Sequence, residues 1–148
     1  NPSNSALKLY YDFLFSLKEL NLKKVIIVGG NHDGISTLET PKKILQFLNI
    51  ETISGEKNGL QNKDIIFNID NQVLICAIPF LRDGVIRSSI EKGSFSDIES
   101  ALKEGIKGYY NSIFEEAKKI DKNIPIIATG HFTILGGENS DSEREIYI

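Results

Sequence analysis

The stretch Val25-Ile26-Ile27-Val28-Gly29-Gly30-Asn31-His32-Asp33 runs apolar for four residues, stops at two glycines, and then delivers an amide, an imidazole and a carboxylate in succession. Near the other end, Ile124-Pro125-Ile126-Ile127-Ala128 leads into Thr129-Gly130-His131 and repeats the arrangement of apolar run, glycine and imidazole. These are the only two histidines of the chain. An asparagine offers a neutral oxygen to a cation, and a histidine can ligate a metal or carry a proton to a phosphate. A strand-end Asn and a distant strand-end His are therefore what a two-metal, oxygen- and nitrogen-ligated centre requires, with the ions roughly 3.5–4 Å apart across a phosphoester. On this reading Asn31 and His131 are metal ligands, His32 is a catalytic group, and Asp33 orients His32 or raises its basicity. Gly-Gly-Asn-His-Asp-Gly is also good turn chemistry, but a plain turn has no need of a histidine between Asn and Asp.

Such side chains converge only if the elements before them lie together. Open α/β sheets carry their ligands at the carboxyl ends of their strands, and a glycine-permitted turn fixes the residues that follow. The strand at 24–28, apolar from Val25 on, is expected to be covered on both faces, and 124–128 is expected to be a further strand. If the two were parallel neighbours, their loops would meet at one sheet edge. Residues 64–69 and 72–78 read as a hairpin closed by Asp70-Asn71 and ended by Pro79. Ile98, Ala101, Leu102, Ile106, Tyr109, Ile113, Ala117 and Ile120 describe an amphipathic helix over 97–120, weakened at Gly105 and Gly108.

Two further helices have surplus apolar surface. In 5–20, one row of Ala6, Tyr10, Phe13, Leu17 and Leu20 lies beside a second of Leu7, Tyr11 and Leu14, so two sides call for burial. One side should cover the sheet, and the other serves either the same chain or a second subunit or domain. The helix at 41–48, with Thr40 as cap and Pro41 at its first position, exposes Ile44, Phe47 and Leu48.

With 148 residues, 41% of them hydrophobic, the chain fits one domain with a sizeable core. The apolar runs are too short to cross a bilayer, and the amino end lacks the form of a signal peptide, so a cytoplasmic location without membrane association is expected. A net charge of −3 argues against a general electropositive grip on nucleic acid, although bound divalent ions can supply local positive charge. A single cysteine, Cys76, excludes a disulfide framework and is expected to pack as a small hydrophobe. The absence of methionine suggests an excerpt of a longer protein.

Gly30-Asn31-His32-Asp33 resembles the third signature of the calcineurin-like metallophosphoesterases, and Gly130-His131 resembles the fourth. The run Gly136-Gly137-Glu138-Asn139-Ser140-Asp141-Ser142-Glu143-Arg144-Glu145-Ile146-Tyr147-Ile148 is similar to the SbcD branch of that superfamily, and Asn1-Pro2-Ser3-Asn4 with the helix after it resembles the stretch past its second metal motif. The resemblance covers essentially the whole chain. It implies an α/β fold, a partial calcineurin-like sandwich of mixed sheets flanked by helices. Residues 1–148 would then be an internal part of one nuclease domain, lacking the first (Asp-x-His), second (Gly-Asp-x-x-Asp) and last (Gly-His-x-His) motifs.

The resemblance further implies a metal-dependent DNA exo/endonuclease subunit for double-strand-break and hairpin processing. Its cofactors would be two divalent ions, manganese or else magnesium, and its partners DNA, an SbcC-type ATPase subunit and a second copy of itself. Asn31 and His131 would ligate the metals, while His32, oriented by Asp33, would stabilise the transition state or protonate the leaving oxygen. With so small a share of the ligands, the excerpt is expected to be inactive alone. The dimer contact would use Leu7, Tyr10, Tyr11, Ile44, Phe47 and Leu48. Arg82 could grip a DNA phosphate, although an ion pair with Asp83 competes, and Arg144 sits among acidic neighbours. Two other functions fit the same residues: a calcineurin-like phosphatase or small-molecule phosphodiesterase, and a non-catalytic assembly module. The absence of the Lys and Ser/Thr of a phosphate-cradling loop disfavours nucleotide binding at Gly29-Gly30.

Overall fold

The structure is a computed structural model and describes residues 2–55, 62–82 and 95–132. The chain begins with helix α1 (Asn4–Ser16), whose N-cap Ser3 accepts a hydrogen bond from the Ala6 N–H at 3.2 Å and whose end tightens into a 3-10 turn at Leu17–Glu19. Strand β1 (Val25–Val28) is followed by two short helices, α2 (Ile35–Glu39) and α3 (Lys42–Gln46), and then by β2 (Ile50–Ile53). A 3-10 turn at Asn62–Ile65 leads into β3 (Ile66–Ile69) and β4 (Val73–Cys76). Helix α4 (Phe95–Ile120) and β5 (Ile126–Ala128) complete the described elements.

Among the described residues the strands form two small sheets. β1 and β2 pair in parallel, Val25 opposite Ile50 through Val28 opposite Ile53. In the other sheet β4 is central: it runs antiparallel to β3, Ile66 opposite Cys76, and parallel to β5, Leu74 opposite Ile126. The hairpin closes through Asp70 and Asn71, both with positive φ (52° and 57°), the conformation a two-residue hairpin loop needs and these residue types tolerate. Asn71 N–H donates to Asn68 Oδ1 at 2.9 Å and locks the turn.

β1 stands between two cores, which explains its unbroken apolar run. Val25 and Ile27 pack against Leu14, Leu45 and Ile50, the cluster under α1 and α3. Ile26 and Val28 pack against the other cluster, which holds Ile53, Leu74, Cys76 and Ile78 together with Ile113 and Ala117 of α4. Alternate side chains of a strand point to opposite faces, so a strand between two apolar layers cannot alternate with polar residues. Cys76 is buried as a small hydrophobe, as its sequence context indicates.

Several expectations need correction. α1 ends at Ser16, and its buried stripe is Tyr10, Leu14 and Leu17; Phe13 and Leu20, placed in the same row by periodicity, are exposed. Thr40 closes α2, which the sequence did not reveal, and Pro41 is the cap of α3 and not its first helical residue. Asp64 and Ile65 form a 3-10 turn ahead of the hairpin, and β2 was not foreseen. β1 is only half-buried along its length. Among the described residues, no helix is long and apolar enough to cross a membrane.

Candidate metal centre

The loop after β1 is a tight turn built from both ends. Gly29 N–H continues the parallel ladder to Ile53 C=O at 2.8 Å, Gly30 N–H donates to Asp33 Oδ2 at 2.7 Å, and Asp33 N–H returns to Gly30 C=O at 3.4 Å. Asn31 and His32 are left at the corners, Asn31 half-buried and His32 exposed. The Asp33 carboxylate thus closes its own turn, accepting from the Gly30 N–H, where the sequence suggested that it orients the His32 imidazole.

The two glycines serve close approach. Neither has positive φ; the positive-φ glycine among the described residues is Gly55, at 77°. A Cβ on Gly29 would meet Leu38 Cδ1 at 3.0 Å and Ser54 O at 3.1 Å, and one on Gly30 would meet the His131 ring at 2.9 Å from Cε1. Gly30 is therefore the floor on which the second histidine rests.

His131 follows β5 through Thr129 and Gly130. Thr129 N–H donates to Cys76 C=O at 3.0 Å, and its hydroxyl accepts the Ile78 N–H at 2.8 Å. The same hydroxyl donates back to Ile78 C=O at 3.1 Å. Tyr110 of α4 donates to Thr129 C=O at 3.4 Å, and burial, then the neighbouring Tyr109, holds its phenol above the usual range. The His131 ring lies edge-on to Phe80, centroids 5.9 Å apart at 86°.

These supports bring His131 Nε2 to 3.0 Å from Asn31 Oδ1. The two sequence-selected donors, 100 positions apart, meet. They do not meet as neighbours on one sheet, for β1 and β5 belong to different sheets. At 3.0 Å the two side chains are hydrogen-bonded, and the same spacing matches two adjacent ligands of an octahedral ion, which with bonds of about 2.1 Å lie roughly 3.0 Å apart. An amide oxygen and an imidazole nitrogen bring no negative charge, so a cation held here would need carboxylates from elsewhere. Among the described residues there is no group of three or more His, Cys, Asp or Glu able to hold a metal.

Compared with proteins of known function, the chain is 32% identical over 152 residues to the SbcD component of the nuclease SbcCD of Escherichia coli K12, an alignment that takes in all of this chain and 37% of that protein. The resemblance is to SbcD. The same-named protein of Rhodobacter capsulatus is 28% identical over 160 residues, covering all of this chain and 39% of the relative, and that of Staphylococcus epidermidis is 26% identical over 155 residues, covering 99% and 36%. The SbcD-like chain thus spans little more than a third of the length of these relatives. No family model matches it.

Other residues singled out in the sequence are placed as follows. Arg82 donates Nη2 to Asp33 C=O at 2.9 Å; Asp83 and Arg144 lie outside the described residues, as does the run Gly136–Ile148 that carried the SbcD likeness. Ile44 (70%), Phe47 (91%), Tyr11 and Leu48 are exposed. Leu7 and Tyr10 are half-buried, Tyr10 packing on the cluster of Leu14, Leu45 and Ile50 with its hydroxyl buried and no hydrogen-bond partner among the described residues. Sequence reasoning missed Thr129, Phe80 and Gly55; a Thr directly before Gly-His was a readable signal for the first.

Proposed function

We propose that residues 1–148 form an internal part of one metallophosphoesterase domain of an SbcD-type DNA exo/endonuclease, the polypeptide acting with an SbcC-type ATPase in the cytoplasm on broken or hairpin DNA. The observation that carries this reading is the pairing of Asn31 Oδ1 with His131 Nε2 at 3.0 Å, in a chain that aligns throughout its length with the SbcD component of SbcCD. The remaining metal ligands come from the first, second and last signatures, outside these residues, so the 148 residues alone are inactive.

In this proposal Asn31 and His131 hold one of two divalent ions, manganese or magnesium. When bound, the two cations supply the charge that polarises the phosphodiester and makes the attacking water more acidic. His32, exposed at the turn corner, is in this proposal the group that donates a proton to the leaving oxygen or stabilises the pentavalent phosphorus. Asp33 holds the turn that aims it. The exposed Tyr11, Ile44, Phe47 and Leu48, together with the half-buried Leu7 and Tyr10, are in this proposal the residues that contact a second copy, since exposed large apolar side chains mark an interaction site.

The test uses the complete polypeptide with MnCl2 and a double-stranded oligonucleotide. Asn31→Ala and His131→Ala should each weaken manganese binding, whereas His32→Ala should leave binding intact and lower kcat by at least a hundred-fold. Equal metal loss in all three variants would make His32 a ligand and refute its assigned role.

A further inference from the structure

The sheet topology leaves the position of Asn31 relative to His131 unexplained. β1 pairs with β2 and β5 with β4, so among the described residues no shared ladder sets the distance between the loops that follow them. Five residues that leave β4, Ile78 to Arg82, reach both. Toward the second loop, Ile78 N–H binds the Thr129 hydroxyl at 2.8 Å and the Phe80 ring meets His131 edge-on. Toward the first, Phe80 N–H binds Gly29 C=O at 2.8 Å and Arg82 Nη2 binds Asp33 C=O at 2.9 Å. The segment is itself seated: Ile78 and Pro79 are almost fully buried, and Gly55 at the end of β2, with φ 77°, leaves room for Phe80 C=O where a Cβ would sit 2.9 Å away.

We propose that Ile78–Arg82 is a brace that registers the two donor loops against each other, with Thr129 and Phe80 positioning His131, and Arg82 positioning the turn that carries His32. Arg82 on this account acts through the Asp33 carbonyl and not by gripping a DNA phosphate. A guanidinium committed to a loop carbonyl on the line between two loops fixes geometry, and groups that orient metal ligands commonly govern metal affinity ten- to a hundred-fold. The proposal rests on the metal-centre reading above.

The experiment measures manganese affinity by calorimetry and nuclease kinetics in the complete polypeptide, on wild type and on Thr129→Val, Thr129→Ser, Phe80→Leu, Arg82→Ala and Arg82→Lys. Thr129→Val should weaken manganese binding ten-fold or more, with Thr129→Ser restoring it, and Phe80→Leu should weaken it about ten-fold while keeping the backbone contacts, which decides the matter if Thr129→Val does not fold. Arg82→Ala should lower kcat about ten-fold and weaken manganese binding, because the same turn carries Asn31, with the KM for DNA and the salt dependence of DNA binding unchanged, and Arg82→Lys, which keeps one donor, should recover part of both. Wild-type metal affinity in both Thr129→Val and Phe80→Leu would overturn the brace. So would a raised KM with a salt slope reduced by about one in Arg82→Ala, the mark of a lost phosphate contact. A wild type that binds no manganese at all would instead bring down the metal-centre reading, and the brace with it.

Discussion

Replacing Gly30 by alanine adds one methyl group at the point where the two donor loops touch. Its Cβ would stand 2.9 Å from His131 Cε1, 3.2 Å from Nε2 and 3.3 Å from Nδ1. Carbon atoms pack without strain from about 3.5 Å, so the imidazole must retreat by roughly half an ångström. It cannot do so freely, because the Phe80 ring stands edge-on to it and Thr129 fixes the loop behind it. Overpacking of this size costs about 1–3 kcal/mol, and a half-buried ring that can tilt belongs at the lower end. For a domain of about 150 residues, that lowers Tm by roughly 2–8 °C. The Asn31–His131 separation, now 3.0 Å, opens by a similar half ångström, and manganese affinity should fall about ten- to a hundred-fold. Gly108→Ala is the control: the same chemistry in α4, with nothing within 4 Å of the new Cβ, should raise stability by about 0.5–1 kcal/mol and leave metal binding alone. Calorimetric titration with MnCl2 and a thermal melt on both variants read the two effects. A Gly30→Ala protein that melts with wild type and binds manganese within two-fold of it would show that the ring is not held, and would refute the reasoning.

Three other outcomes follow from the packing. Leu74→Ala removes a fully buried side chain at the centre of the larger core and should cost about 2–5 kcal/mol in denaturant unfolding; a loss below about 1 kcal/mol would mean the cluster collapses around the cavity. Burial raises the phenols of Tyr10, Tyr109 and Tyr110 and the thiol of Cys76, so the unfolded chain loses these protons first. Their contribution is intact below the ordinary values of about 8.5 for thiol and about 10 for phenol and is lost as pH climbs through the raised ones, so stability should fall on the alkaline side, and Tyr10→Phe with Tyr109→Phe should flatten that fall. Ile44→Glu with Phe47→Glu, both exposed in the chain, should convert a dimer to a folded monomer in sedimentation, with Tm lowered only by the loss of the dimer's linkage; persistence of the dimer would move the contact elsewhere.

What could be read from the sequence was what is decided locally. The Asp70-Asn71 turn was legible because left-handed φ at two successive positions selects those residue types, and the loops whose Asn31 and His131 meet were legible because apolar runs ending in glycine and imidazole are rare coincidences. The long helix was legible from its period, with Ile113 and Ala117 buried, although Ile120 at its end is exposed. β2 was hidden because Ile50-Glu51-Thr52-Ile53 buries Thr52 by donating its hydroxyl to Leu38 C=O at 3.2 Å, a tertiary solution with no signature in four residues. The division into two sheets was hidden for a like reason: β1 and β5 present similar apolar runs, and only long-range pairing tells them apart. The glycines were seen but assigned to turn conformation, whereas Gly30 is small because a histidine 101 positions away needs its space. Ile78 and Pro79 were read as the end of a hairpin and Arg82 as a phosphate or ion-pair group, because the contacts of this segment with Gly29, Asp33 and Thr129 exist only once both sheets are formed.

The central claim, that Asn31 and His131 hold one cation, is tested most directly by anomalous diffraction at the manganese edge from crystals of the complete polypeptide grown with MnCl2. The account predicts an anomalous peak within about 2.0–2.3 Å of both Asn31 Oδ1 and His131 Nε2. A manganese peak ligated by neither residue, or by one alone while the other keeps its distance, would contradict it.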